Sequence, residues 1–174
     1  TTGSLTTTGN GGTIDTLTVT TSANINGGDG TNGIVITKPV SNEITSSGKV
    51  SLNGTVITDL TISSGTLSAN GNITASGALS LDIGTNLAMG NNALSVTGAT
   101  ANAGSITLGT GTASFTGTVT NTNGSITGGS GDLVFAGGIT GGILNATGSQ
   151  NISVGGDFTI GSFVAANSTV TLVG

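Results

Sequence analysis

The sequence contains no cysteine, histidine, tryptophan or tyrosine, and only one proline and one methionine in 174 residues. Without cysteine there are no disulfides and no thiolate metal sites. Without histidine, acid–base chemistry would rest on carboxylates and on Lys38 and Lys49 alone. Charge is as scarce: charged residues make up 5% of the chain and the net charge is −5. The acidic residues, Asp15, Asp29, Glu43, Asp59, Asp82, Asp132 and Asp157, are scattered along the chain. Two lysines cannot form the clustered cationic surface that phosphates demand, so nucleic acid is excluded as a partner. No apolar run approaches the roughly 20 residues of a membrane-spanning helix, and no transmembrane segment is expected. The opening "TTGSL" has no starting methionine and no signal peptide, and reads as a processed N-terminus or a segment boundary.

What is present is glycine, 33 residues of it, with abundant Thr, Ser and Asn. Such a composition can belong to a disordered linker, but disordered chains combine low hydrophobicity with high charge. Here the mean hydropathy is +0.32 and Ile, Val and Leu recur throughout. They recur with period two. The inward pairs run Val50/Leu52, Leu60/Ile62, Leu67/Ala69, Ile73/Ala75, Leu79/Leu81, Leu87/Met89 and Leu94/Val96. They continue as Ile106/Leu108, Ala113/Phe115, Leu133/Phe135, Ile152/Val154, Phe158/Ile160 and Val170/Leu172.

Most neighbouring bursts lie six to eight residues apart, closer than the roughly 8 to 12 typical of hairpin sandwiches and barrels. This spacing predicts an all-β β-solenoid, in which three short strands make a coil of about 20 residues and each strand pairs in parallel with its equivalent one coil on. Eight or nine coils, a rod of about 40 Å, would then form a single domain over residues 1–174 or a block of a longer array. The six Asn-Gly pairs, beginning at Asn10, Asn26, Asn32, Asn53, Asn70 and Asn123, suit corners that need unusual backbone angles. They are equally the mark of two-residue hairpins, so an antiparallel arrangement stays open.

The poverty of charge follows from stacking, because like charges repel on adjacent strands whereas Thr, Ser and Asn form hydrogen-bonded ladders. The stretch from Ile34 to Lys49 holds Pro39, both lysines and the only Glu, and is expected to be a loop or an irregular coil. "NSTVTLVG", at the end of the sequence, looks like a strand and not like a polar cap, which points to a segment of a longer array or to a subunit that polymerises.

Catalysis needs paired titratable groups, and Asp132 in "GDLVF" and Asp157 in "GDFTI" are the pair to test. Their separation is about one coil, which would stack them on one corner. A Gly-Asp turn bonding its own backbone is the plainer reading, and a non-enzymatic protein without a cofactor is expected. "GGDGTNGIV", residues 27 to 35, approaches the Ca²⁺-binding nonapeptide repeat, with Asn32 where Asp belongs. If Ca²⁺ binds anywhere, Asp29 is the expected ligand. Alternating Thr16, Thr18 and Thr20, and again Thr116, Thr118 and Thr120, raise the idea of a flat ice-binding face, but such an array must recur coil after coil. Sequons begin at Asn53, Asn72, Asn123, Asn145, Asn151 and Asn167. Phe115, Phe135, Phe158 and Phe163 are expected in the core and not on a sugar-stacking surface.

The closing "GGDFTIGSFVAANSTVTLVG" and the internal "SLDIGTNLAMGNNALSVTG" resemble repeat regions of large secreted bacterial surface proteins: autotransporter passenger domains, filamentous-haemagglutinin-like adhesins and surface-layer proteins. The resemblance implies a right-handed parallel β-helix, an extracellular or cell-surface location, and roles in adhesion, aggregation or coat formation. It transfers no catalytic residues. The expected function is an extracellular structural or adhesive solenoid that self-associates end to end or laterally, with itself and host or cell-surface glycans as partners. The alternatives are a glycan- or ice-binding module on one flat face and a polysaccharide-active enzyme.

Overall fold

The computed structural model describes the backbone at residues 2–6, 16–19, 22–26, 34–36, 42–53, 55–57, 59–69 and 71–174, and side chains at 59–62, 66–69 and 71–174. Alternation of an apolar residue with a small polar one turns each burst into a strand with one side in and one side out. The strands do not fold back on their sequence neighbours. Leu60 pairs with Leu79, and Leu79 with Thr100, spacings of 19 and 21 residues. Every pairing among the described residues is parallel, which removes the hairpin alternative there. The chain is an all-β parallel β-solenoid of about six turns with about 19 residues per turn.

Each turn has three faces. Face one is built from the start of Leu60–Ala69, then Leu79–Leu81, Thr100–Asn102, Val119–Thr120, Ile139–Thr140 and Phe158–Thr159. Face two takes the end of Leu60–Ala69, then Asn86–Gly90, Ser105–Leu108, Ser125–Gly128, Ile143–Ala146 and Ser162–Val164. Face three comprises Ile73–Ala75, Leu94–Val96, Ala113–Phe115, Leu133–Phe135, Asn151–Val154 and Thr169–Leu172. Faces one and two belong to one sheet, and face three forms the other.

Stacked inward positions fill the interior in rows. Leu67, Leu87, Ile106, Ile126 and Leu144 on face two are completely buried. On face three, Ala75, Val96, Phe115, Phe135 and Val154 are stacked in the same way. The rings of Phe115 and Phe135 are stacked, with centroids 5.3 Å apart and planes within 4° of parallel. Volume is balanced within a strand, since Ala113 accompanies Phe115 whereas Ile73 accompanies Ala75.

The expected inward pairs from Leu60 to Val154 are all buried. The side chains of Val50 and Leu52 lie outside the described residues. Other inward positions escape the alternation pattern: Val119 and Ile139 lie in two-residue strands, Ile126 has Gly128 as its inward companion, exposed Ile143 obscures the Leu144/Ala146 pair, and three further inward residues are polar. Thr100, Asn102 and Asn121 are buried at 1% exposure or less. The two asparagines form an internal ladder, Asn102 Nδ2 donating to Asn121 Oδ1 at 2.7 Å.

Two expectations need correction. The stretch from Ile34 to Lys49 is not simply a loop, because Ile34–Ile36 and Asn42–Asn53 are strands. β-Branched Ile, Val and Thr outweigh the local charge there, although the pairing of Asn42–Asn53 with Leu60–Ala69 shifts register between Ile44 and Lys49. Pro39 lies outside the described residues. Glycine, in turn, serves close approach more than unusual angles. Only Gly84, Gly90, Gly138, Gly141 and Gly142 have positive φ among the described glycines. Most others form corner columns, one of them Gly98, Gly117, Gly137 and Gly156 stacked above Gly77, in which a Cβ on any of the four would come within 3 Å of the backbone one coil below.

Candidate functional site

The corners use their carboxylates and amides structurally. Asp59 Oδ1 accepts from the Ala78 amide at 2.6 Å, and Asn72 Oδ1 from the Ala93 amide at 2.9 Å. Asp132 Oδ1 accepts from the backbone N–H and the side-chain Nδ2 of Asn151, at 3.0 and 3.1 Å. Each acceptor sits just before a strand and ties its corner to the coil above, supplying a partner to a backbone donor that the ladder leaves out.

Asp132 and Asp157 are not stacked, contrary to the sequence expectation. Asp132 precedes a face-three strand, and Asp157 precedes the face-one strand Phe158–Thr159. Their 25-residue separation exceeds one turn and carries Asp157 on to the next corner. Asp29 lies outside the described residues, and among the described residues no three carboxylates gather as a metal site would need. Thr116, Thr118 and Thr120 are all exposed, but the run crosses the corner between Ala113–Phe115 and Val119–Thr120, so the three threonines do not share one strand face. Of the sequon asparagines, Asn123 and Asn167 are exposed and make no side-chain hydrogen bond among the described residues, whereas Asn72 and Asn151 are engaged in corner bonds.

The most distinctive surface is the coil of residues 158–172. Its strands Phe158–Thr159, Ser162–Val164 and Thr169–Leu172 end both sheets, and among the described residues nothing pairs with their outer edges. The interior rows emerge here. Ile139, Leu144 and Ile152 are fully buried, but Phe158, Phe163 and Val170, which stack on them, are only partly buried. Leu172, stacked on Val154, is 66% exposed. Phe158 and Phe163 meet edge to face at 5.7 Å. Chemically this is a template of unpaired backbone N–H and C=O groups surrounding an apolar centre.

No family model matches the chain, and no curated protein or solved structure matches it. The site therefore rests on its geometry. The strand-like ending "NSTVTLVG" signalled this surface in the sequence. The buried asparagine ladder gave no signal, because period-two reading registers only apolar residues as inward.

Proposed function

We propose that the protein is an extracellular structural or adhesive β-solenoid that associates with copies of itself through the coil of residues 158–172, building a filament, surface layer or long adhesin. The observation that supports this reading is the last described coil, where Phe158, Phe163 and Val170 are half-buried, Leu172 is exposed and the outer strand edges have no partner among the described residues, so that a copy of the chain can extend the ladder there. Strand addition would satisfy both at once, since a copy docked there extends the ladder and covers Phe158, Phe163, Val170 and Leu172. Burying such a side chain from full exposure contributes about 1.5–3 kcal/mol, and covering the remaining exposed part of these four contributes a fraction of that each. Sparse charge on the flanks adds little repulsion when rods lie side by side.

The rod we propose is right-handed and has eight or nine coils. Two observations support the greater length: Thr2–Thr6 pairs in parallel with Ser22–Asn26, and Ile34–Ile36 pairs with Thr55–Ile57, all within the same two sheets. Right-handed winding is what a right-handed strand twist favours in parallel crossovers. The reading involves no catalytic step and no cofactor.

Sedimentation velocity and electron microscopy across a concentration series test it. Wild-type chain is expected to form growing oligomers or filaments. Leu172→Lys and Phe163→Lys, each placing a charge on the open coil, are expected to remain monomeric with an unchanged β-sheet circular dichroism spectrum. Assembly that survives both substitutions, or a wild type that stays monomeric throughout, would sink the reading.

A further inference from the structure

Three successive corners between faces one and two differ in length. Residues 82–85 and 121–124 make four-residue corners, whereas only Ala103 and Gly104 separate Thr100–Asn102 from Ser105–Leu108. The short corner is drawn inwards. Gly104 lies so close to Thr85 Oγ1 and the Asp82 carbonyl that a Cβ would come within 3 Å of both, and its N–H donates to Asn102 Oδ1 at 3.2 Å. The long corners are held outwards. Thr85 donates from its N–H and its Oγ1 to the Asp82 carbonyl, at 3.2 and 2.8 Å, and Asn123 adopts a left-handed φ of 59°.

A recess of about 190 Å³ opens between them. Ala101 and Ala103 form its apolar floor, Ser80 and Asp82 line one side, and Thr120 and Thr122 line the other. The two sides are two strand spacings apart, roughly 9–10 Å. Among the described residues, none of these four polar side chains makes a hydrogen bond within the protein. Ile83 stands beside Asp82 at 79% exposure.

We infer that this recess binds one uncharged sugar residue of a neutral glycan. Its volume falls below the roughly 300 Å³ at which pockets for drug-sized ligands begin, which limits the occupant to about one ring. A pyranose presents a C–H face to suit the alanine floor and a rim of hydroxyls to suit three protein hydroxyls and a carboxylate. Asp82 accepts from neighbouring sugar hydroxyls in charge-assisted hydrogen bonds, the strongest contacts available here. The same carboxylate repels phosphate, sulfate and acidic sugars. A single carboxylate is too little for Ca²⁺, which takes 6–8 oxygen ligands. The recess is open at the surface, so the rest of a glycan can leave over Ile83. The site is distant in sequence from the open coil and does not depend on assembly.

The test is amide chemical-shift mapping of the full chain with methyl glucoside, methyl galactoside, N-acetylglucosamine and the acidic sugar N-acetylneuraminic acid. At least one neutral sugar is expected to shift amides at 80–82, 101–103 and 120–122 with a dissociation constant of about 1 mM, and the acidic sugar is expected to shift none. Asp82→Ala should weaken binding by about 10-fold or more. Ala101→Trp, filling the recess from an exposed strand position, should abolish binding while the remaining spectrum stays folded. The inference is overturned if no neutral sugar moves these amides, if both variants bind like wild type, if the acidic sugar binds equally well, or if Ca²⁺ alone shifts these amides.

Discussion

Buried polar residues in this interior divide by whether they find partners. Asn102 Nδ2 donates to Asn121 Oδ1 and to the Ser125 carbonyl, and Asn121 Nδ2 donates to the Ile143 carbonyl. These amides hold a corner of the coil that backbone pairing leaves incomplete, and removing one would strand the others. Thr100 is different. It stands between Leu79 and Val119 in an otherwise apolar row, and its Oγ1 has no hydrogen-bond partner among the described residues. A buried lone hydroxyl costs about 1–3 kcal/mol, and valine has nearly the same shape. Thr100→Val is therefore expected to stabilise the fold by about 1 kcal/mol, seen as a higher urea midpoint at unchanged slope. An unchanged or lower midpoint would mean that the hydroxyl is satisfied.

At the scale of the strand, worth depends on what lies above and below. Phe135 is fully buried and stacks on Phe115, whereas Phe163 is covered on one side only. Phe135→Ala loses transfer energy, leaves a cavity and breaks a ring pair, a cost of about 3–5 kcal/mol. Phe163→Ala opens onto solvent and leaves no closed cavity, so about half that cost is expected. Urea denaturation of both variants in monomeric conditions compares them directly. Equal losses would indicate that the coil of residues 158–172 is already covered. The corner elements follow the same logic, for a side chain at Gly117 would press against Gly98 and Ala99 in the coil below.

For the whole molecule, each coil contacts chiefly the coils before and after it, as in other quasi-one-dimensional repeat proteins. Stability is then graded along the axis, and a coil with one neighbour opens more readily than one with two. Hydrogen exchange on dilute monomer is expected to be slowest in the strands from Ser105 to Val154 and distinctly faster from Phe158 to Leu172. Raising the concentration into the assembling range should slow exchange in that last coil selectively. Uniform protection along the axis, or no gain on assembly, would contradict an open end that is covered by a second copy.

The legible part was whatever repeats with period two. Alternating Leu, Ile, Val and Phe, interrupted by Gly at intervals shorter than most hairpins use, pointed to short strands wound in three-faced turns, while the Asn-Gly pairs left parallel against antiparallel pairing for the structure to decide. The same pattern located most of the core from Leu60 to Val154, though not Val119, Ile126, Ile139, Leu144 or Ala146, and it located the strand-like closing segment. Tertiary structure alone decided which coil neighbours meet. It separated Asp132 from Asp157, which a turn of about 19 residues sends to different corners. It turned Asn102 and Asn121 inwards, where each amide completes the other, and it made glycine a matter of clearance between coils. It also set the alternation of long and short corners that opens the recess beside Asp82. Period and polarity are properties of a strand taken singly, whereas register, clearance and corner depth arise only when one turn is laid on the next.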